Sequence, residues 1–229
     1  NWKKRIYMLN NKKLNYKFIT FEGLDGCGKS TQAELLYNFF LEKKETKQKI
    51  LLLREPGSTK IGEQIREILI DKKNNDISNR AEVLLFMAAR AQLIFEKIIP
   101  ALKNNFIVIC DRFIDSSVAY QGAGRNLDVN FISSLNKFAT EKIEPDITFF
   151  LDITPESALK RKAELKNNDR IETEDLIFYQ KVYDEYKKIL NKNRDRIIKI
   201  NAEVDISIIH KNIVDILRSE EHTSELQSR

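Results

Sequence analysis

The stretch Gly23-Leu24-Asp25-Gly26-Cys27-Gly28-Lys29-Ser30-Thr31 constrains this chain more than any other. Its spacing, a glycine followed after four residues by Gly-Lys-Ser, is that of a phosphate-binding loop, and its context fits. The apolar run Lys17-Phe18-Ile19-Thr20-Phe21 before it reads as a strand, and Gln32-Ala33-Glu34-Leu35-Leu36-Tyr37 after it reads as a helix. Backbone N–H groups can wrap a phosphate tail only where side chains do not block the approach, and glycines remove the block. Lys29 then places its ammonium on the outer phosphates, Ser30 can ligate Mg²⁺, and the helix start adds the positive end of its dipole. The chain has seven glycines, and three of them sit here.

Further along, Ile50-Leu51-Leu52-Leu53, Phe106-Ile107-Val108-Ile109-Cys110, Ile147-Thr148-Phe149-Phe150-Leu151 and Arg196-Ile197-Ile198-Lys199-Ile200 read as four more strands. Helical spacing recurs between them. It is clearest in Val83, Leu84, Met87, Ala91, Ile94, Phe95 and Ile98, which are expected to face the core of a long helix starting near Ser78. Asp128 can cap a helix bearing Phe131, Ile132, Leu135 and Phe138, and Leu176, Tyr179, Val182, Tyr183, Tyr186, Ile189 and Leu190 mark another apolar face. Strands alternating with helices predict an α/β fold, a five-stranded parallel sheet with helices on both faces. In such sheets ligands bind at the carboxyl ends of strands, where Asp111 and Arg112 stand together.

The formal net charge of +5 invites a nucleic-acid reading, but residues 1–16 carry five basic and no acidic groups, and the body from 17 to 217 is nearly neutral. Nucleic acid is therefore not expected as a partner. No apolar run has the length needed to cross a bilayer, and the basic start has neither the apolar segment nor the cleavage site of a signal peptide. Cys27 and Cys110 have no paired spacing for zinc or a disulfide, which suits the reducing cytoplasm, and Cys27 reads as a small filler in the loop. Residues 17–217 are expected to form one domain. Residues 1–16 read as a non-native or disordered extension, with Met8 a candidate start, and 218–229 resemble a translated sequencing-library adapter.

The other glycines cluster as well. Gly57 and Gly62 follow the second strand, while Gly122 and Gly124 lie in Tyr120-Gln121-Gly122-Ala123-Gly124-Arg125. Backbone freedom gathered at the strand ends points to a second ligand facing the nucleotide.

Several stretches in series carry a family resemblance. They are Phe21-Glu22-Gly23, Arg54-Glu55-Pro56-Gly57, Leu85-Phe86-Met87-Ala88-Ala89-Arg90, Asp111-Arg112-Phe113 with Ser116-Ser117-Val118-Ala119-Tyr120-Gln121-Gly122, and Leu151-Asp152-Ile153-Thr154-Pro155-Glu156. From about Lys17 to Leu217 the chain resembles the thymidylate kinase family, P-loop nucleoside monophosphate kinases with a short lid. The resemblance implies transfer of the γ-phosphoryl of ATP to dTMP with Mg²⁺, usually in a homodimer. It makes Gly23, Leu24, Asp25, Gly26, Cys27, Gly28, Lys29, Ser30 and Thr31 the ATP-binding loop. Phe86 is expected to stack on thymine, Arg90 to hydrogen-bond the base, and Arg112 to hold the acceptor phosphate. Asp25 is placed near the sugar and the reacting phosphates, Ser116, Ser117, Tyr120 and Gln121 around the nucleoside, and Arg54 as a further phosphate contact. Ser30 and Asp111 are expected to organise Mg²⁺.

One departure concerns the catalytic cation. Members of the family place an arginine in the P-loop or in the lid, and here the P-loop position is Cys27, which leaves the charge to Arg161, Lys162, Lys166 or Arg170. Two alternatives stay open. One is a kinase for another nucleoside monophosphate or a deoxynucleoside. The other is a nucleotide-dependent switch, although the chain has no Asn-Lys-x-Asp guanine reader and Arg112 follows Asp111 where a switch or ATPase would have an acidic residue.

Overall fold

The computed structural model describes residues 16–42, 49–164 and 174–226, with side chains through 218. Five strands, β1 (Phe18–Glu22), β2 (Ile50–Arg54), β3 (Ile107–Asp111), β4 (Ile147–Asp152) and β5 (Ile197–Asn201), form one all-parallel sheet in the order β2-β3-β1-β4-β5. Every residue of β1 is buried, as are all of β3 and β4 except their last, whereas β2 and β5 at the edges are half-covered. That gradient is why the central runs are largely apolar: helices cover both faces.

The helices are α1 (Lys29–Glu42), α2 (Lys60–Ile70), α3 (Asn79–Leu93), α4 (Ile99–Lys103), α5 (Ile114–Ser117), α6 (Val129–Ala139), α7 (Pro155–Glu164), α8 (Leu176–Lys192) and α9 (Ile206–Leu226). Ser78 caps α3 by accepting from Ala81 N, and Asp128 caps α6 by accepting from Asn130 N and Phe131 N. A π-helical stretch, Ile94–Ile98, joins α3 to α4, and a second, Val118–Gly124, continues α5. One core on the sheet includes Ile19, Phe21, Leu36, Phe149, Tyr179 and Ile213, and another gathers Phe18, Leu93, Val108 and Phe113. Tyr16 packs against the first core, one residue ahead of the expected domain boundary.

Two residues of the α3 pattern do not face the core: Leu84 is 58% and Phe95 70% exposed. Phe131 and Phe138 of α6 are also exposed. Periodicity marks an apolar face, but the face is wider than the neighbouring elements that cover it. Among the described residues no helix is long and apolar enough to cross a membrane.

Neighbouring strands β3 and β1 send their connections to opposite sides, β1 toward β2 and β3 toward β4. This is the point at which open parallel sheets form a ligand crevice. The 23–31 loop leaves β1 and the Asp111-Arg112 pair ends β3, so the sheet order brings them side by side.

Candidate active site

Gly23, Gly26 and Gly28 have φ of 142°, 80° and 94°, conformations that side chains disfavour. At Gly23 a Cβ would come within 2.7 Å of Leu151 O, and at Gly26 within 2.7 Å of Ala158 O. The loop is thus clamped between β4 and α7 and delivers the chain to the first turn of α1, which has no acidic residue to compete for its unpaired N–H groups. Lys29 is buried, and its ammonium donates to Leu24 O at 2.7 Å. Burial pushes the Cys27 thiol up against the lowering effect of Lys29.

Ser30 Oγ donates to Asp111 Oδ2 at 2.5 Å, and Asp111 Oδ1 is buried without a hydrogen-bond partner among the described residues. A hydroxyl beside a carboxylate with an uncommitted inward oxygen is a donor set suited to a hard cation such as Mg²⁺, which takes one or two protein oxygens and completes its shell with water and phosphates.

Arg112 adopts φ 68° immediately after β3. The reversal brings Phe113 N to Glu22 Oε1 at 2.8 Å and turns the guanidinium over the loop, where it donates to Gly23 O (3.1 Å), Ser116 Oγ (3.0 Å), Tyr120 OH (3.3 Å) and the Asp25 carboxylate. It also lies 4.8 Å above the Tyr120 ring. Asp25 Oδ2 accepts from Tyr120 OH (3.0 Å) and Tyr179 OH (2.9 Å). Burial alone would raise the Asp25 carboxyl, but Arg112 and Lys29 outweigh it and hold the group well below the usual carboxylate range.

Two cavities meet at this pair. A cleft of about 1240 Å³ runs along the loop from Asp25 through Thr31 and is also lined by Arg54, Arg66, Asp111, Arg112, Arg161 and Lys162. A smaller cavity of about 120 Å³ is lined by Asp25, Glu55, Arg66, Phe86, Arg90, Arg112, Ser116, Ser117, Tyr120 and Gln121. The site can hold two anions, one on backbone amides and one on a guanidinium, with a half-buried aromatic wall beside the second.

The family model of thymidylate kinase matches residues 21–213. The chain belongs to the thymidylate kinase family. It is 45% identical over 202 residues to the thymidylate kinase of Thermoanaerobacter sp. (strain X514), covering 88% of this chain and 97% of that one. It is 48% identical over 200 residues to that of Thermosipho africanus, covering 87% and 96%. The crystal structure of thymidylate kinase from Ehrlichia chaffeensis superposes with a TM-score of 0.71 at 35% identity, covering 88% of this chain and 97% of that one.

Within this member of the thymidylate kinase family, most residues singled out in the sequence line one of the two cavities. Arg90 does so in an unexpected state. It is 2% exposed, and all five of its N–H donors are engaged: Nε and Nη2 with Glu55 Oε2 (2.8 and 2.5 Å), Nη2 with Phe113 O (2.9 Å), Nη1 with Ser117 Oγ (2.9 Å) and with Asn136 Oδ1. Gln121 lines the same cavity while donating to the buried Glu82 at 3.0 Å. Arg54 is half-exposed on the donor side and pairs with Glu63 at 2.8 Å. Arg161 donates to Ala202 O at 2.9 Å, and Lys162 to Tyr179 OH at 2.8 Å. Lys166 and Arg170 lie outside the described residues.

Four residues had no assigned role in the sequence reading. Arg66 reaches both cavities from α2 and donates to Pro56 O, Glu55 answers Arg90, and Tyr179 holds Asp25. Glu22, the last residue of β1, accepts from Phe113 N, Ser116 N, Ser116 Oγ and Tyr186 OH, and so fixes the turn that aims Arg112. Its signals in the sequence are a carboxylate ending a largely apolar strand and its place in the stretch Phe21-Glu22-Gly23.

Burial, helped by Asp115, pushes the Glu22 carboxyl up to about 7 from its ordinary 4.5. The folded chain therefore binds a proton that the unfolded chain has released between those two values, and stability from this group falls as pH rises through the window. The stability of the parent chain relative to Glu22→Gln is expected to drop by up to about 3 kcal/mol between pH 5 and 8, read from urea unfolding at each pH. A pH-independent difference would contradict the raised value.

Proposed function

We propose that this enzyme transfers the γ-phosphoryl group of ATP to dTMP, giving dTDP and ADP. The observation that carries the reading is the Arg112–Asp25 pair at the junction of a glycine-loop cleft and an aromatic-walled cavity. In this reading the N–H groups of Gly26 through Thr31 and the Lys29 ammonium hold the β- and γ-phosphates. Arg112 grips the dTMP phosphate, Phe86 stacks on thymine, and Tyr120 with Asp25 borders the sugar. Arg90, bound to Ser117 and Glu55, stiffens the wall under the base, and it reaches the base itself only by giving up one of its present partners. An oxygen of the dTMP phosphate bonds to the γ-phosphorus as the bond to the bridging β–γ oxygen breaks. Such transfer needs alignment and charge neutralisation more than covalent chemistry from the protein. Ser30 and Asp111 would hold Mg²⁺, which supplies neutralisation of the β- and γ-phosphate oxygens when bound.

A homodimer fits the surface. Ile68, Leu84 and Phe138 are exposed on α2, α3 and α6, and these helices pack in sequence, α2 on α3 and α3 on α6. A cytoplasmic enzyme fits two unpaired, buried cysteines.

The test is an acceptor panel of dTMP, dUMP, UMP, dCMP, GMP and thymidine with ATP and Mg²⁺, with the diphosphate product followed directly. dTMP is expected to give the highest kcat/KM. A clear preference for another acceptor would overturn the assignment, and steady ATP hydrolysis with no acceptor would favour a switch-like ATPase. Phe86→Ala is expected to weaken dTMP by about 1–3 kcal/mol of lost stacking, with little change for ATP. Unchanged dTMP affinity by calorimetry would move the base site elsewhere.

A further inference from the structure

We propose that Glu82 is a positioning residue for base selection: it turns the nitrogen of the Gln121 amide toward itself and leaves the oxygen for the acceptor cavity, which then prefers a pyrimidine carrying hydrogen on N3. The proposal rests on the phosphoryl-transfer reading above and adds how the base is chosen. Glu82 lies in the first turn of α3, and Phe86 and Arg90 follow at intervals of four, so the three share one side of the helix. Phe86, Arg90 and Gln121 line the acceptor cavity. Glu82 is buried behind Gln121, 1% exposed.

The two ends of a side-chain amide have nearly the same shape and opposite hydrogen-bonding sense, so the partner decides which way it points. Here the partner is a carboxylate with both oxygens accepting from Arg125: Nε donates to Oε1 at 3.1 Å and Nη2 to Oε2 at 3.3 Å. Neither oxygen has a proton to offer Gln121. The amide atom 3.0 Å from Glu82 Oε1 is therefore the NH₂ group. Gln121 Oε1 accepts no hydrogen bond among the described residues. Arg125 is held in turn by Glu174, just ahead of α8, and lies 4.9 Å from the centre of the Phe178 ring.

Thymine and uracil carry a hydrogen on N3, and cytosine carries a lone pair there. An amide oxygen accepts from the first, whereas with the second two acceptors meet and both stay unpaired. Arg90 reaches the base only by giving up a partner, but the Gln121 oxygen gives up none. An apolar side chain could fill the place behind Gln121 without the desolvation cost of a buried charge. What the carboxylate supplies, and an apolar group would not, is the sense of the amide.

Glu82→Gln keeps the shape but can donate as well as accept, so it frees the Gln121 amide to turn over. The ratio of kcat/KM for dTMP to that for dCMP is expected to fall roughly 5- to 100-fold, carried by KM rather than kcat. Gln121→Ala should lower the ratio similarly, and adding Glu82→Gln to it should change the ratio no further. The parent enzyme gives a test that needs no variant of Glu82: 3-methyl-dTMP, which has no hydrogen on N3, should be a poorer acceptor than dTMP. That gap should narrow in Gln121→Ala, where the oxygen is gone and the methyl has room. The assignment is overturned by an unmoved ratio in Glu82→Gln, by equal losses for dTMP and dCMP alongside a lowered melting temperature, or by a parent that takes 3-methyl-dTMP as readily as dTMP. A parent that favours dTMP, with the ratio unmoved in Glu82→Gln, sinks only the role of Glu82; a parent inert toward every acceptor sinks the kinase reading itself.

Discussion

Lys29→Ala is expected to lower kcat by about 10²–10³-fold, the usual cost of removing one preorganised charge from a transferring group. The side chain is buried beneath the loop, with its ammonium 2.7 Å from Leu24 O, and no other cation reaches that position from within the cradle. The fold should survive, because the loop is shaped by the positive φ of Gly23, Gly26 and Gly28 and by its contacts with β4 and α7, none of which involves the lysine ammonium. Steady-state kinetics with ATP varied at saturating dTMP separate the two ways the charge can act. Equal losses in kcat and kcat/KM mean that Lys29 works in the transition state, whereas a raised KM for ATP at parental kcat means uniform binding and would contradict the proposed role.

Arg112→Ala should have a comparable effect from the opposite side of the site. Truncation removes the donors to Gly23 O, Ser116 Oγ, Tyr120 OH and the Asp25 carboxylate together. It leaves Asp25 as a poorly hydrated anion, and kcat/KM for dTMP is expected to fall by about 2–5 kcal/mol, roughly 30- to 4000-fold. Stability should fall too, and its pH dependence carries a sign that can be checked. Burial works against the Asp25 anion, and Arg112 is the largest influence holding the group below its unfolded value of 3.8. The stability gained from that pairing is present above about pH 4 and is lost as acid protonates Asp25, so the gap between parent and Arg112→Ala should narrow toward low pH. Adding Asp25→Asn to Arg112→Ala should recover part of the lost stability, since the stranded charge is gone, but none of the dTMP turnover. Recovery of turnover in the double variant would mean that Arg112 only neutralises Asp25 and does not touch the acceptor.

The parts of this enzyme that were legible in the chain are those set by short-range chemistry. The loop could be placed because glycine freedom, a lysine and a hydroxyl must follow one another at fixed spacing to hold a phosphate, and Ser78 and Asp128 cap helices for equally local reasons. The central strands showed as largely apolar runs because both faces are covered. Leu84, Phe95 and Phe138 fit the same helical pattern as their buried neighbours yet are exposed, because a pattern does not show where its covering element ends.

Arg90 and Tyr179 show the other limit. A guanidinium in the last turn of a helix and a tyrosine on an apolar face carry no mark of their partners. Arg90 is satisfied by Glu55, 35 residues earlier, and by Asn136, 46 later, and Tyr179 meets Asp25 across 154 residues. Glu22 is similar: its carboxylate organises the Arg112 turn only because β1 and β3 lie side by side.

From its residues alone, then, this protein was bound to form a parallel α/β sheet with a phosphate cradle after the first strand, since backbone stereochemistry and the burial of apolar runs act over a few residues. The tertiary structure alone decided how the charges around that cradle are paired: Arg112 on Asp25, Arg90 on Glu55, Lys162 on Tyr179. Electrostatic partners are chosen by distance in space, and that distance exists only after the sheet has ordered its strands.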